Sequence, residues 1–453
     1  MKNKGKGILR GRISRKRFLR SAVFGAGVLL SGFIDSKAFA DIIEKKPKAK
    51  SMIQLWMWGG PPHLDTFDPK PAAGRDYTGN LGRAIDTNAP GIKINQALPL
   101  LAKQADKYAI LRGMTHNNNG HETAAYMVQT GRKPGEGLVY PGIGAVVSYF
   151  KGQQPVYKSP LPPYITLTTP QGRFSECGFM GSKYKPFSTG GDPNREPFAV
   201  EGIVSETVND DRQKSRKDFL KEIDSFARSM MSDPLVKVLD TGQQEAYSVI
   251  LGEARKAFLL SVESKETRDL YGRNTFGQSC LLARKLVQQG VPYITINYRG
   301  WDTHKKHFEA MNQKLPELDR GMAALISELA SFGLLDSTIV WWSGEFGRSP
   351  KVAWEDPWYG GRHHYGKAFS AVVAGGGFKG GTVVGKTDDT GENVVERPIY
   401  PWDLIASFYE LLGIEKDAKI PNVSGPSVYA NPFTAGAINS KETGGILSEI
   451  MPS

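Results

Sequence analysis

The chain has seven histidines, and all of them fall in four of five short segments that also hold acidic or basic residues near expected strand ends. These are 56-WMWGGPPHLDTFDPKP-71 with His63, 113-GMTHNNNGHETAAY-126 with His116 and His121, and 299-RGWDTHKKHF-308 with His304 and His307. The others are 343-SGEFGRSP-350, which has no histidine, and 360-GGRHHYG-366 with His363 and His364. Asp65, Asp68, Asp302 and Glu345 lie in the same segments. One histidine would read as an ordinary loop residue with a satisfied hydrogen bond. Seven beside these carboxylates read as a metal centre. Imidazole nitrogen and carboxylate oxygen without thiolate suit a divalent ion such as zinc or manganese. One or two such ions activate water and stabilise a departing oxygen, which fits cleavage of phosphate or sulfate esters.

The candidates differ in weight. Asp302 and His304 are two residues apart, so an extended chain points both the same way. His307 would share a face with His304 only if the chain has turned helical. Glu345 follows a wholly apolar run, where a carboxylate needs a reason; the plain one is an ion pair with Arg348. Arg348 could instead meet an anionic substrate, since guanidinium matches tetrahedral oxyanions. His364 and His363 are nearly equal on physical grounds. Asp65 competes with Asp68, which precedes Pro69 and suits a turn. His63 and His121 are further ligands or acid–base groups.

Something must hold these segments together. Buried strands are expected over 53–58, 108–111, 293–298, 338–342 and 370–374. Helices are expected over 97–105, 122–130 (closed by Gly131 at its C′ position), 276–289, 318–332 and 402–412. The strands are continuously apolar rather than alternating, which suits a mostly parallel sheet covered on both faces. Ligands gather at the carboxyl ends of strands in such sheets, and four segments follow expected strands while the fifth precedes one. Between the two sets, a stretch of about 152–272 reads as an inserted cap. It is rich in Pro and Gly over 152–200, with amphipathic helices over 211–231 and 243–271. The glycine-rich 375-GGGFKGG-381 lacks the spacing of a phosphate loop and reads as a β-turn or hairpin bend.

Of the net charge of +12, nine units come from residues 1–40, which hold ten Lys/Arg and one acid. The remainder is close to balanced, without a basic run interleaved with aromatics, so nucleic acid is not an expected partner. Residues 1–40 read as an export signal: 14-SRKRFLR-20, an apolar stretch over 21–34, and 38-AFA-40 before Asp41. The pattern is Tat-like, with Lys16 where a second arginine would stand, so the Tat or the Sec machinery is the implied partner. The body at 41–453 would be periplasmic or secreted, with no stable membrane span after cleavage. Cys177 and Cys280 could form one disulfide, but Cys280 sits in an expected helix and suits a buried thiol better. No CxxC pair exists.

Taken together, GGPPHLDTFDPKP, RGMTHNNNGHE, WDTH, SGEFGRSP, GRHHYG, AGGGFKGGTVVGKTD and PWDLIASFYELLGI resemble the family catalogued as domain of unknown function 1501. The resemblance spans nearly the whole body. That family is placed by similarity in the alkaline phosphatase and sulfatase superfamily. The resemblance implies an α/β fold with a doubly wound, mostly parallel sheet, and one or two divalent ions at strand ends. By motif, Asp65 would be the metal aspartate after the first strand, Asp302 and His304 the central pair, and His364 the late histidine. Glu345 lies where an Asp-His dipeptide is usual, and His363 where an acid is frequent. The superfamily's nucleophile would fall at 114–119, where Thr115 is the hydroxyl. Neither cysteine lies in a formylglycine signature. The expected function is an exported metal-dependent hydrolase of phosphate or sulfate esters acting on a small molecule or glycan. Alternatives are a non-catalytic envelope protein that binds glycan or a protein partner, and a hydrolase of another bond such as an amide.

Overall fold

The computed structural model describes residues 48–153, 157–169, 176–196, 198, 200, 253–434 and 438–452. The export segment, the helix expected over 211–231 and the first part of the one expected over 243–271 lie outside these residues. Eight strands form the central sheet: β1 (Ser51–Met57), β2 (Tyr108–Met114), β3 (Tyr164–Leu167), β4 (Phe187–Ser188), β5 (Tyr293–Tyr298), β6 (Thr338–Ser343), β7 (Phe369–Ala374) and β8 (Thr382–Val384). Their order across the sheet is β8-β2-β7-β6-β1-β5-β3-β4. All pairings are parallel except the two made by β7. Every residue of β1, β6 and β7 is buried, as expected for strands covered on both faces.

Alternate residues of β1 feed two separate cores. Ile53, Leu55 and Met57 pack with the helices Thr275–Gln288 and His307–Ser331. Met52 and Trp56 pack with His121–Thr130, Ile143–Lys151 and Pro401–Leu411 on the other face. This is the expected doubly wound, mostly parallel α/β architecture. Gly131 closes the helix His121–Thr130 in the left-handed conformation, with φ 66°, as its position implied.

Four expectations change. The helix expected from 318 begins at His307 and runs through Pro316; a proline lowers helix propensity, but burial of Met311 and Leu315 outweighs it. The stretch expected as a cap supplies β3 and β4 to the sheet, four and two residues that the surrounding prolines conceal. Within the described residues, the helix expected over 243–271 is two 3-10 turns followed by Lys265–Tyr271, whose N-terminus is capped where the Ser264 side chain accepts from Thr267 N–H at 3.1 Å. The glycine-rich 375–381 does make the expected β-turn, Phe378 N–H donating to Gly375 O at 2.9 Å, but the turn does not close a hairpin. It carries the chain past β2's neighbour position to pair β8 with β2, at the end of the sheet away from the histidines. Cys177 and Cys280 are both free and buried. No helix among the described residues is long and apolar enough to cross a membrane.

The reversed strand is what completes the site. Met57 pairs with Tyr298 and Trp56 with Ser343, so β1, β5 and β6 end together. Phe369, the start of β7, pairs with Met114, the end of β2. Because β7 runs the other way, the histidines before it arrive at the same edge as the residues that follow the parallel strands.

Candidate metal centre

At that edge three imidazoles converge on one carboxylate. His304 Nε2 and His364 Nε2 each lie 3.1 Å from Asp302 Oδ1, and His121 Nε2 lies 3.3 Å from Oδ2. His304 Nε2 and His364 Nε2 are 2.8 Å apart. Ligand atoms of His121, Asp302 and His364 all fall within 4.8 Å of one another. The Asp302 side chain is 44% exposed and forms the open side of the cluster.

The other ring nitrogens are already committed. His364 Nδ1–H donates to Asn119 O at 2.8 Å. His121 Nδ1–H donates to Glu345 Oε1 at 2.7 Å. These bonds fix the tautomers and leave both Nε2 lone pairs facing the cluster, the usual support for a ligating histidine. His304 Nδ1 lies 3.2 Å from His363 Nδ1. Charge fits as well. Burial pushes the Asp302 carboxyl up, but Arg348 and the histidines outweigh it and hold it at about 2. Burial lowers His304 and His364, which favours neutral rings. His121 is raised through its bond to Glu345. With His121 deprotonated at Nε2, as ligation requires, three imidazoles and an ionised carboxylate are a donor set that fits a divalent ion such as zinc.

Glu345 does not offer itself to the cluster. It is wholly buried, and its carboxylate accepts from Gly59 N–H at 2.9 Å as well as from His121. It therefore orients a ligand candidate rather than serving as one. The ion pair considered for Glu345 goes elsewhere, because Arg348 pairs with Asp302. Arg348 is buried, and its donors are spent on Asp302 Oδ1 and the carbonyls of Gly59, Gly60 and Arg362. It is not free to receive an anionic substrate.

Asp65 is not brought to the cluster. Its Oδ2 lies 2.8 Å from His307 Nε2 and 2.9 Å from Arg362 Nε, all three residues being at most 1% exposed. Thr303 Oγ1 donates to His307 Nδ1 at 2.6 Å, so this network ends on the residue between Asp302 and His304. His63 is buried, and its Nε2–H donates to Gly391 O at 2.8 Å. Asp68 pairs with Lys70 at 3.2 Å and Arg112 at 3.3 Å. Thr115 gives its backbone N–H to Ile399 O, and its hydroxyl makes no hydrogen bond to the cluster.

Two supports were not singled out from the sequence. Gly59 has φ 113°, and a Cβ there would sit 2.2 Å from Asp302 N. It also bonds to both Glu345 and Arg348. Gly59→Ala combines left-handed strain with a backbone clash, so it should cost at least ~2–3 kcal/mol. Urea unfolding against wild type measures this. His116 is the other. Its Nε2–H donates to Glu345 O at 2.7 Å, and Asn118 N–H donates to its Nδ1 at 3.1 Å. Burial lowers it to about 4. A depressed folded value means stability present above the unfolded value of ~6.5 and lost as pH falls toward 4, about 3 kcal/mol for the full shift. Unfolding at pH 7 and pH 4.5 should show this loss, and His116→Gln should reduce the slope.

No curated protein matches the sequence. Among solved structures, the alkaline phosphatase from the Antarctic bacterium TAB5 is 9% identical and overlaps 81% of this chain and 99% of its own, with TM-score 0.36. A sulfatase from Pseudoalteromonas sp. is 14% identical over 84% and 70% of the two chains, with TM-score 0.35. A phosphonate monoester hydrolase from Silicibacter pomeroyi is 12% identical over 86% and 77%, with TM-score 0.30. Likenesses this slight lend the chain no activity. The sequence itself matches a family model over residues 49–428, nearly the whole described body, and the chain belongs to that family, described as a protein of unknown function (DUF1501).

Proposed function

We propose that the protein is an exported, metal-dependent hydrolase of phosphate or sulfate esters. The observation that carries this reading is the convergence of the Nε2 atoms of His121, His304 and His364 on the exposed Asp302 carboxylate. A bound divalent cation would supply Lewis acidity toward the oxygens of the ester. The chain's own residues prepare for it. Glu345 holds His121 in one tautomer, and Asn119 O does the same for His364. Burial keeps His304 and His364 neutral. Arg348 keeps Asp302 ionised and aimed. The open Asp302 side is where a small-molecule or glycan ester would approach. Residues 1–40 would direct export by the Tat or Sec route, and a mature N-terminus at Asp41 is the expected result of N-terminal sequencing.

The test is turnover of nitrophenyl phosphate and nitrophenyl sulfate with added zinc or manganese, beside elemental analysis of the purified chain. Metal-dependent release of nitrophenol supports the hydrolase. A chain that binds no transition metal after mild purification overturns it. One observation favours a second reading, a non-catalytic envelope protein binding glycan or a partner: among the described residues no hydrogen bond joins the Thr115 hydroxyl to the histidines and carboxylate of the cluster. A folded, metal-loaded chain inactive on both esters favours that reading.

A further inference from the structure

Each imidazole of the cluster has a partner at its outer nitrogen, and the three partners differ in kind. His121 Nδ1 meets the Glu345 carboxylate at 2.7 Å, and His364 Nδ1 meets the Asn119 carbonyl at 2.8 Å. A carboxylate and a carbonyl only accept, so both histidines keep a hydrogen on Nδ1. His304 Nδ1 instead meets another imidazole, His363 Nδ1, at 3.2 Å. An imidazole nitrogen donates or accepts according to its tautomer. His363 is held firmly for this contact. Its N–H donates to Ser349 Oγ at 3.0 Å, and its carbonyl accepts from Ser349 N–H at 2.8 Å. Its ring stands at 89° to that of Trp358, with centroids 4.7 Å apart.

The inner nitrogen decides what His304 needs from that partner. His304 Nε2 lies 2.8 Å from His364 Nε2 and 3.1 Å from Asp302 Oδ1. With the His364 hydrogen on Nδ1, neither of those atoms brings a hydrogen to the contact. While no ion lies between them, three lone pairs at these distances repel, so the hydrogen belongs on His304 Nε2. Burial lowers both His304 and His364, which keeps a second hydrogen off either ring. His304 Nδ1 is then bare, and His363 Nδ1–H donates to it. Once His304 Nε2 gives its lone pair to an ion, the reverse holds. His304 carries its hydrogen on Nδ1 and donates it outward, as ligating histidines do.

We propose that His363 is the tautomer partner of His304: it donates from Nδ1 when the cluster is free of metal and accepts there when His304 binds the ion. The protons balance within the pair. The Nδ1 hydrogen of His363 passes to His304 Nδ1. Water takes the Nε2 hydrogen of His304 and returns one to Nε2 of the half-buried His363 ring. Both rings are neutral before and after. His363 thus serves the metal-centre reading above, on which this role rests, as a positioning residue that touches no substrate.

The test is proton–nitrogen correlation NMR of the histidine rings in the mature full-length protein, free of metal and saturated with Zn2+. His304→Gln and His363→Gln assign the resonances. The expected result is His304 Nε2–H with His363 Nδ1–H before zinc, and His304 Nδ1–H with His363 Nε2–H after it. Zinc binding with an unchanged His363 tautomer overturns the inference and leaves the metal centre standing. A chain that binds no zinc overturns both. Affinity supplies a second arm. His363→Phe keeps a ring against Trp358 without a polar atom, and should bind Zn2+ ~10–100-fold more weakly. A glutamine amide can donate or accept, so His363→Gln should restore most of that loss. A folded phenylalanine variant with wild-type affinity overturns the role assigned to His363, and so does a folded glutamine variant as weak as the phenylalanine one.

Discussion

Asp302→Asn should lower the affinity for Zn2+ or Mn2+ at least ~100-fold while the chain stays folded. Changes to groups that merely support a ligand already cost ~10–100-fold, and Asp302 is the point on which the three imidazoles converge. The asparagine is chosen because its Oδ1 can still accept from Arg348, so the buried guanidinium keeps a partner. The Asp302 side chain is 44% exposed, and losing its charge removes no packing. Hydrolysis of nitrophenyl esters should fall with the metal. Calorimetric titration of both proteins, with circular dichroism as the check on folding, decides the matter. Equal affinity in a folded variant would remove Asp302 from the centre. Glu345→Gln should behave differently. It keeps the shape and one acceptor for His121 or Gly59 N–H, so affinity should fall by ~10-fold rather than be lost.

The sequence carried the strand ends well because buried parallel strands are continuous apolar runs, visible without partners. It carried His121, Asp302, His304 and His364 because each lies a few residues beyond or before such a run. What it could not carry is how the strands are ordered. The reversed direction of β7 depends on a pairing between Phe369 and Met114, which no local pattern records, and that reversal is what brings His363 and His364 to the shared edge. Partners distant in sequence explain the other differences. Asp65 looked like a ligand because a carboxylate after the first strand is chemically apt; its actual partners, His307 and Arg362, lie 242 and 297 residues away. Glu345 was placed at the right edge, but its acceptor role depends on Gly59 N–H, 286 residues away. Gly59 itself gave a signal that could have been read: two adjacent glycines before two prolines mark a backbone that must approach something closely. That something is the Asp302 backbone.

The clearest separation between a ligand and a scaffold residue comes from Asp65→Ala. Removing one partner from a buried ion pair leaves an uncompensated charge, at a cost of ~3–5 kcal/mol. Arg362 is wholly buried and would be that charge. The expected result is therefore a large loss in urea or thermal unfolding, with metal affinity in the surviving folded fraction changed far less than in Asp302→Asn. The pH dependence gives an independent reading. Burial raises the Asp65 carboxyl, but Arg362 and His307 outweigh it and set it below its ordinary value. A depressed carboxylate contributes stability that is present above the unfolded value of ~3.9 and lost as pH falls below it. The gap between wild type and Asp65→Asn should thus be full at pH 6 and shrink on acidification below pH 4. If instead Asp65→Asn keeps wild-type stability and loses the metal, Asp65 reaches the ion after all and the division between cluster and scaffold drawn from the geometry fails. The route by which a scaffold defect would be felt at the cluster is specific: His307 receives the Thr303 hydroxyl, and Thr303 stands between Asp302 and His304. Asp65 would then act on the centre by holding that tripeptide in place, as a strut and not as a ligand.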